Sequence, residues 1–515
     1  MFMKNLKETL NDEFNYSVTE NGALGYRTSG KELLDLNFSV SSMRNMSEEK
    51  IVEKFVKAFY EDKILAMKWL FYCRDCRDGI GERRLFRTCM KYLAENHQDI
   101  AFSVIGLVHE YGRWDDLWCL LDTDLKLDVI NKVAYQLIVD EQNMKAGKPI
   151  SLLAKWLPSL NTSSKETKRL ARIIVNGLQT TVIMNGLQMT DRRYRKMLSE
   201  LRAYLNVVEV KMSAKQWDKI DYAAVPSRAN LIYNNAFLRN DEERRREYLN
   251  KLEKGETKIN AGVLFPHDIV HKYGSSRWNL SPVDDPTLEQ LWKALPDYVS
   301  GAGNTICVAD GSRSMTSRIG GTNVTALSVA NALAIYFAER SSGQFKDTYI
   351  TFSNRPQIVD FSNANSLREK IEIAMNHCEM ENTNIEATFD LILQTAIKNE
   401  MTQDDMPQNV LVLSDLEFDC MTSGRTDKRL FEELADRYEA HGYKLPRLVF
   451  WNIMSRTGTI PVKENEAGVA LVSGFSPAIV KMVLSNSTDP FECLLEQLNS
   501  ERYTPVENAV KNLVA

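Results

Sequence analysis

The sequence is poor in cysteine and has no long apolar run. Its 515 residues include 8 cysteines, too few for a disulfide scaffold, and we expect reduced thiols in a reducing compartment. No segment reaches the ~18 consecutive apolar residues of a membrane span. Charged residues interrupt the N-terminal segment every few positions, so no secretion signal is predicted. The sequence therefore predicts a cytoplasmic protein that does not contact membranes.

The chain also lacks an excess of positive charge. Its 64 basic and 69 acidic residues give a net charge of −5, so any nucleic-acid site must be a local patch. The 44% hydrophobic and 26% charged residues are typical of a folded globular protein and exclude disorder as the main state. No phosphate-binding loop, Gly-x-Ser-x-Gly elbow or Cys/His nucleophile arrangement is present. We therefore expect a protein that is not an enzyme.

The first large region has helical periodicity. From about Ser47 to Leu280 apolar residues recur at helical spacing, as in Ile51, Phe55 and Phe59. Short breaks separate the helical segments, a rhythm that resembles stacked helical hairpins of the HEAT type. An irregular all-α domain explains the same pattern, because no strict sequence period is present. Both alternatives stay open from the sequence.

The pattern changes at the proline-containing stretch Ser281–Pro286. Beyond it, short β-rich runs alternate with amphipathic helices, which predicts a doubly wound, mostly parallel α/β sheet. A hairpin-like pair predicts one antiparallel edge strand. The predicted strands are Thr305–Ala309, Thr348–Phe352, Gln357–Phe361, Val410–Ser414, Leu448–Ile453 and Val469–Ser473. The predicted domains are an N-terminal extension packing on the body (1–46), a helical-repeat domain (47–285) and an α/β domain (286–515).

Oxygen-bearing side chains cluster where the first predicted strand ends. Asp310, Ser312 and Ser314 occupy alternate positions there, at the edge where open α/β sheets bind ligands. Thr383, just before a predicted helix, and Asp415, directly after the strand Val410–Ser414, are delivered to the same edge. Hard oxygen donors of this kind suit Mg²⁺ or another divalent cation. The sequence therefore predicts a metal site from these five residues.

This set resembles the metal-ion-dependent adhesion site (MIDAS) of von Willebrand factor A domains, whose signature is Asp-x-Ser-x-Ser with a downstream Thr and Asp. The resemblance implies that Ser312, Ser314 and Thr383 are hydroxyl ligands, whereas Asp310 and Asp415 hold the metal's waters. It also implies an open coordination position for an acidic group of a partner. A serine-rich loop that caps the next helix is the simpler alternative.

One residue departs from the MIDAS pattern. Arg313 is bulky and cationic where small residues are usual. We expect it either to weaken metal binding or to help recruit a phosphate or carboxylate.

A wider resemblance covers almost the whole chain. Several short motifs resemble the family labelled domain of unknown function 2828, whose architecture is similar to that of Ro ribonucleoproteins (TROVE proteins). That architecture is a ring of helical repeats joined to a C-terminal von Willebrand factor A domain. It implies binding of small structured RNAs on a basic outer face and of single-stranded RNA ends in the ring. The motifs are Thr19–Ala23, Arg77–Arg83, Glu110–Leu117, Ser151–Ser159, Lys215–Trp217, Val225–Ser227, Phe265–His267, Ser414–Asp419 and Ser473–Ser476.

A local concentration of basic residues supports an RNA-binding hypothesis. Residues 160–205 contain nine basic and three acidic side chains, a local net charge of 9 − 3 = +6. If they share a face, they attract phosphates, and Tyr194 adds a stacking surface. A solvated helix face is the alternative. The basic residues are Lys165, Lys168, Arg169, Arg172, Arg192, Arg193, Arg195, Lys196 and Arg202.

Three other motifs have structural explanations. His267 and His271 share a helix face but have no evident third ligand, so a zinc site is not predicted. Arg113 with Asp115 or Asp116 is expected to fix a tight corner between helices. The run Arg244–Arg246 lies among glutamates and is expected to form ion pairs within its helix.

The sequence thus predicts a non-enzymatic, Ro-like RNA-binding scaffold with a MIDAS-type Mg²⁺ site in its C-terminal domain. The alternative left open is a metal-dependent protein-interaction module that captures an acidic residue of a partner without RNA. No small-molecule substrate is indicated.

Overall fold

The structure is a computed structural model of the chain. It describes residues 15–18, 24–181, 183–184, 187–274, 279–300, 303–320, 322–353, 355–378, 384–416, 430–455, 469–480 and 489–514. Among these residues, no helix combines the length and apolarity that crossing a bilayer requires.

The chain forms two compact units that are not continuous in sequence. One comprises Met1–Asp62 and Ala261–Ser500, and the other comprises Lys63–Asn260 and Glu501–Ala515. This division into two units differs from the three continuous ranges predicted from the sequence, 1–46, 47–285 and 286–515. The domain boundaries at those positions stay a prediction. The described residues up to Asp62 belong to the unit that contains the sheet, and the described residues from Glu501 onward belong to the helical unit.

The unit Lys63–Asn260 with Glu501–Ala515 is helical, as predicted. Its helices bury apolar stripes at helical spacing, for example Leu85, Cys89 and Leu93 in the second helix. Its 3₁₀ turns are Ile105–Leu107, Trp114–Leu120, Trp217–Lys219, Tyr222–Ala224 and Glu501–Tyr503. Its one described ladder pairs Ile183–Met184 with Leu187–Gln188. The α-helices are Lys63–Arg74, Arg83–Asn96, Gln98–Val104, Val108–Tyr111, Lys126–Lys145, Leu153–Trp156, Lys165–Thr181, Asp191–Tyr204, Val208–Ser213, Ser227–Asn240, Glu242–Glu253 and Thr504–Val514.

The predicted corner in this unit is confirmed. Arg113 Nε lies 3.0 Å from Asp115 Oδ1, and the backbone N–H of Arg113 donates to Asp116 Oδ2 at 2.9 Å. Asp116 is buried and also accepts from Arg74. A Cβ at Gly112 would lie 2.5 Å from Asp116 Oδ2, so the close approach requires glycine at this position.

The other unit surrounds a six-stranded sheet. A short antiparallel ladder pairs Tyr16–Val18 with Leu24–Tyr26, and 3₁₀ turns occur at Arg313–Thr316, Gly343–Phe345, Gln403–Asp405 and Pro477–Ile479. Proline occupies the first turn of three of its helices, where no backbone N–H is needed. The α-helices are Glu32–Phe38, Val40–Met43, Glu48–Glu61, Pro266–Tyr273, Pro286–Lys293, Ala326–Arg340, Leu367–Asn376, Ile385–Lys398, Leu430–Ala440 and Pro490–Leu498.

The sheet confirms the predicted α/β fold. Its strands, in chain order, are β1 (Thr305–Asp310), β2 (Thr348–Phe352), β3 (Ile358–Asp360), β4 (Asn409–Ser414), β5 (Arg447–Asn452) and β6 (Val469–Ser473). The strand order is β6-β5-β4-β1-β2-β3, parallel except for the edge strand β3, which pairs antiparallel with β2. Every residue of β1 and β4 is buried, as expected for parallel strands covered on both faces.

The N-terminal segment of this unit packs against the carboxyl ends of β5 and β6. The Ser41 hydroxyl donates to the Asn452 carbonyl at 2.9 Å, and the Ser41 N–H donates to Ser473 Oγ at 3.0 Å. The Asn452 side-chain amide donates to the Phe38 carbonyl at 2.8 Å. These buried groups satisfy one another, so the segment is part of the unit's core.

Candidate metal centre

The site lies where the strand order of the sheet reverses. From β1 the chain continues to β2 on one side, whereas β4 lies on the other side of β1 and continues to β5. Asp310 is the last residue of β1, and Asp415 directly follows β4. Because β1 and β4 are parallel neighbours, both carboxylates are delivered to the crevice that binds ligands in open α/β sheets.

The Asp310 carboxylate is fully buried and held by the protein through both oxygens. Its Oδ1 accepts the backbone N–H of Ser312 at 2.8 Å, and its Oδ2 accepts the hydroxyl of Ser414 at 2.5 Å. Each oxygen has a second lone pair. The arrangement fixes the orientation of the carboxylate and leaves it able to accept from a metal-bound water.

The two carboxylates interact electrostatically. Burial raises the pKa of Asp310 well above its usual range, and the charge of Asp415, which is also buried, raises it further. Hydrogen bonds from Ser414 and Ser312 oppose the shift. Two close carboxylates in a buried site favour either a proton or a cation.

Two hydroxyls lie together in the loop that follows Asp310. Ser312 Oγ and Ser314 Oγ lie 2.8 Å apart, and Ser312 is buried. Ser314 lies in the 3₁₀ turn Arg313–Thr316. Neither serine caps a helix through its side chain, since the following long helix is capped by Thr325. The helix-capping alternative therefore does not explain this loop.

The structure thus brings together four of the five predicted metal-site residues. Asp310 ends β1, Ser312 and Ser314 lie in the loop after it, and Asp415 directly follows the neighbouring strand β4. Thr383 lies outside the described residues. The following residue, Asn384, caps helix Ile385–Lys398 by accepting the Ala387 N–H at 3.0 Å.

Sequence reasoning missed Ser414 as a site residue. Ser414 is fully buried at the end of β4, and its hydroxyl joins Asp310 while accepting the N–H of Leu416 at 2.9 Å. The available signal was a serine at the carboxyl end of an otherwise apolar strand. The MIDAS pattern contains the following aspartate, Asp415, but no serine before it, so that pattern does not select Ser414.

The donor set fits a hard divalent cation. It offers two carboxylates and two hydroxyls, with no nitrogen or sulfur ligand in the predicted set. In the described part of the chain, no group of three or more His, Cys, Asp or Glu side chains could hold a metal. A site at Asp310 therefore depends on hydroxyl ligands. Arg313, the departure from the pattern, is exposed, and within the described residues its guanidinium has no ion pair.

The predicted basic patch is partly neutralised. Arg169 pairs with Asp122 and with Glu166, both at 2.7 Å, and Arg172 pairs with Asp191 at 2.6 Å. Asp122 lies outside residues 160–205, so the local net charge of that segment does not reflect this ion pair.

Two further members of the patch have local partners. Arg202 donates to the carbonyls of Ala154 and Leu157 and thereby holds that turn. Lys196 lies 3.8 Å from Glu200. These contacts reduce the number of cations available to a ligand.

Four basic residues of the patch have no carboxylate partner in the described part of the chain. All four are exposed, and they occur one helical turn apart in two helices. The ion pair between Arg172 and Asp191 joins those helices. The four residues are Lys165, Lys168, Arg192 and Arg195.

The stacking role predicted for Tyr194 is wrong. Tyr194 is fully buried, and its hydroxyl donates to the Pro158 carbonyl at 2.9 Å. It lies on the apolar face of its helix together with Met197, Leu198 and Leu201. A buried ring cannot stack on a base.

The run Arg244–Arg246 is only partly paired within its helix. Arg244 pairs with Asp241 and Arg246 with Glu242, both at 2.8 Å. Arg245 is instead fully buried and donates to the side-chain carbonyl oxygens of Asn230 and Asn234. Intrahelical pairing is confirmed for Arg246 with Glu242, whereas Arg245 faces the interior of the unit.

Family models match nearly the whole chain. The family described as Domain of unknown function (DUF2828) matches residues 19–126 and 125–304, and the one described as Domain of unknown function (DUF7788) matches residues 304–512. The first matches more than half of the chain, so this protein belongs to the DUF2828 family, which confirms the predicted membership.

Two similar proteins extend this comparison. An uncharacterized protein of Acanthamoeba polyphaga mimivirus is 32% identical over 533 residues, covering 96% of this chain and 89% of the relative. The crystal structure of the Deinococcus radiodurans Ro (RSR) protein matches with a TM-score of 0.36 and 12% identity, over 87% of this chain and 92% of that one. A TM-score of this size does not define a common fold.

Proposed function

We propose that this protein is a non-enzymatic, cytoplasmic binding protein whose α/β unit holds Mg²⁺ or another divalent cation at the reversal point of the sheet. Ser312 and Ser314 supply hydroxyl ligands, and Asp310 and Asp415 hold the cation's waters. The cation's open position takes an acidic group of a partner protein. Thr383 completes the predicted ligand set.

The supporting observation is the pair of buried carboxylates beside two converging hydroxyls. Burial, and after it the charge of Asp415, raises the pKa of Asp310, and a bound divalent cation would offset both effects. The site fits binding better than proton transfer, because the fully buried Asp310 lies away from solvent, while the second lone pairs of its oxygens can accept from a water on the cation. A general base instead needs to reach the substrate's proton.

The experiment compares partner binding with and without the cation. The full chain, immobilised, is offered a glutamate-containing partner peptide selected from a display library in Mg²⁺. Binding is expected to disappear in chelator and in Asp310→Ala, and to survive nuclease. Binding that persists in chelator would contradict the proposal.

A second candidate function is RNA binding by the helical unit, as in a Ro-like scaffold. The exposed cations Lys165, Lys168, Arg192 and Arg195 favour it, because they are available to contact phosphates. The fitting ligand is a small structured or single-stranded RNA. A filter-binding titration tests this candidate, since the affinity should fall steeply as salt rises. Absent or salt-insensitive binding would contradict it.

A further inference from the structure

We infer that Ser414 is a positioning residue of the cation site, which holds the Asp310 carboxylate and the turn after Asp415 in one fixed arrangement. The inference rests on the proposed cation site and adds a residue that the Asp-x-Ser-x-Ser pattern does not contain. Ser414 would not touch the cation itself. It would act through the two carboxylates.

The first observation is a hydrogen-bond relay across two strands. The Ser414 hydroxyl donates to Asp310 Oδ2 at 2.5 Å, over 104 positions of sequence. Ser414 Oγ in turn accepts the backbone N–H of Leu416 at 2.9 Å. Ser414 therefore connects the end of β1 with the backbone on the far side of Asp415. Removing the hydroxyl frees one oxygen of Asp310 and one backbone N–H in a buried place.

The second observation is the backbone of the turn. Leu416 has a φ of 62°, in the left-handed region that a buried leucine rarely occupies. Such a conformation persists only where surrounding contacts hold it. The bond from Leu416 N–H to Ser414 Oγ is one such contact. It fixes the direction in which the chain leaves Asp415 and therefore the position of that carboxylate.

The third observation separates Ser414 from a purely structural serine. Ser473 is also fully buried at the carboxyl end of a strand of the same sheet. Its hydroxyl bonds to Ser41 Oγ at 3.0 Å and to the Asn452 carbonyl at 3.3 Å, and neither partner is a predicted metal-site residue. Ser473 is therefore a matched control, similar in burial and strand position but different in partners.

The experiment measures divalent-cation affinity and stability on the full chain. Mn²⁺ is titrated calorimetrically into wild type, Ser414→Ala, Ser414→Thr and Ser473→Ala, and each protein is also melted in chelator. Ser414→Ala should weaken Mn²⁺ binding about tenfold or more, the usual effect of losing a group that orients a metal ligand. Ser414→Thr keeps the hydroxyl and should restore most of the affinity. Ser473→Ala should lower the melting temperature and leave Mn²⁺ affinity unchanged.

The outcomes are distinguishable. Wild-type affinity in a folded Ser414→Ala protein would overturn the positioning role and leave the cation site intact. An equal loss of affinity in Ser473→Ala would also overturn it, because the effect would then be general destabilisation. No Mn²⁺ binding by the wild type would overturn the proposed function, and this inference with it. Ser414→Cys repeats the test with little change in volume, in case Ser414→Ala does not fold.

Discussion

Arg502 forms a two-point ion pair with Asp75, across 427 positions of sequence. Nη2 of Arg502 donates to Asp75 Oδ1 at 2.8 Å, and Nε contacts Oδ2. The Asp75 side chain is fully buried, and the Tyr503 hydroxyl also donates to it, at 3.3 Å. The pair attaches the C-terminal segment within the helical unit.

The first prediction is that Arg502→Met destabilises the helical unit. The substitution leaves a buried carboxylate without its cation, which typically costs about 3–5 kcal/mol. The measurement is the free energy of unfolding in urea. Lys251→Ala is the control, because Lys251 forms an exposed ion pair with Glu247 and solvent screens such pairs, so its loss should change the free energy of unfolding little. Equal effects of the two substitutions would contradict this account of the C-terminal segment.

The second prediction concerns acid stability and His109. Burial, together with the charge of Lys132, lowers the pKa of His109 from 6.5 to about 4, and its ring stacks on Trp114 at 4.1 Å. Between these values the unfolded chain binds a proton that the folded chain does not, so stability falls as pH falls. When the pH is lowered from about 7 to about 5, the melting temperature of His109→Phe should fall less than that of wild type.

The control for this prediction is His441→Phe. His441 is exposed, and its Nδ1 lies 2.9 Å from the Arg437 carbonyl. His441→Phe makes the same change of side chain at an exposed position and so controls for the substitution itself. A His109→Phe protein with unchanged pH dependence would show that another group causes the acid sensitivity.

The third prediction is that Asp310→Asn stabilises the protein in chelator and removes its response to Mg²⁺. The folded state raises the pKa of Asp310 above its ordinary value of 3.8. It therefore binds this proton more tightly than the unfolded chain does, and stability from this group is lost as pH rises through the raised pKa. At about pH 8 in chelator, Asp310→Asn should melt above wild type. Added Mg²⁺ should raise the melting temperature of wild type only.

Asp140→Asn is the matched control. Asp140 is also fully buried, but it accepts hydrogen bonds from the Ser151 hydroxyl at 2.6 Å, the Ser151 N–H at 2.9 Å and Gln136 at 2.9 Å. Its replacement should destabilise the protein with or without Mg²⁺. If Asp310→Asn behaved like Asp140→Asn, Asp310 would be a structural carboxylate.

Much of the α/β unit could be predicted from its sequence. Its strands are short apolar runs with clear ends, and the structure places those ends within about one residue of the prediction. Asp310 and Asp415 could be brought together in advance because the carboxyl ends of parallel strands meet at one edge. Ser414 could not, because its role depends on the distance between two strands.

The helical unit was harder to predict, because a count of charges does not say which face of its helix each side chain occupies. Tyr194 was assigned to a basic surface, although Met197, Leu198 and Leu201 share its spacing and place it on the buried face. The glutamates around Arg245 predict ion pairing within the helix, but Arg245 lies among buried aromatic rings. The pairing of Asp75 with Arg502 depends on tertiary folding, and no local pattern signals it.

The fourth prediction tests the RNA candidate with neutral substitutions. Changing Lys165, Lys168, Arg192 and Arg195 together to glutamine should lower affinity for a structured RNA about tenfold or more and flatten its salt dependence. The control changes Arg246 and Lys251 to glutamine. Both are exposed, and each forms an ion pair with a glutamate of its own helix. An unchanged affinity of the fourfold variant would show that these four residues do not bind the RNA.

The most direct test of the central claim is the stoichiometry of Mn²⁺ binding by the full chain, measured by calorimetry after removal of metals with chelator. The site at Asp310 and Asp415 predicts one tightly bound ion per chain in wild type and loss of that ion in both Asp310→Ala and Asp415→Ala. Wild type that binds no Mn²⁺, or alanine variants that bind it as wild type does, would contradict the claim.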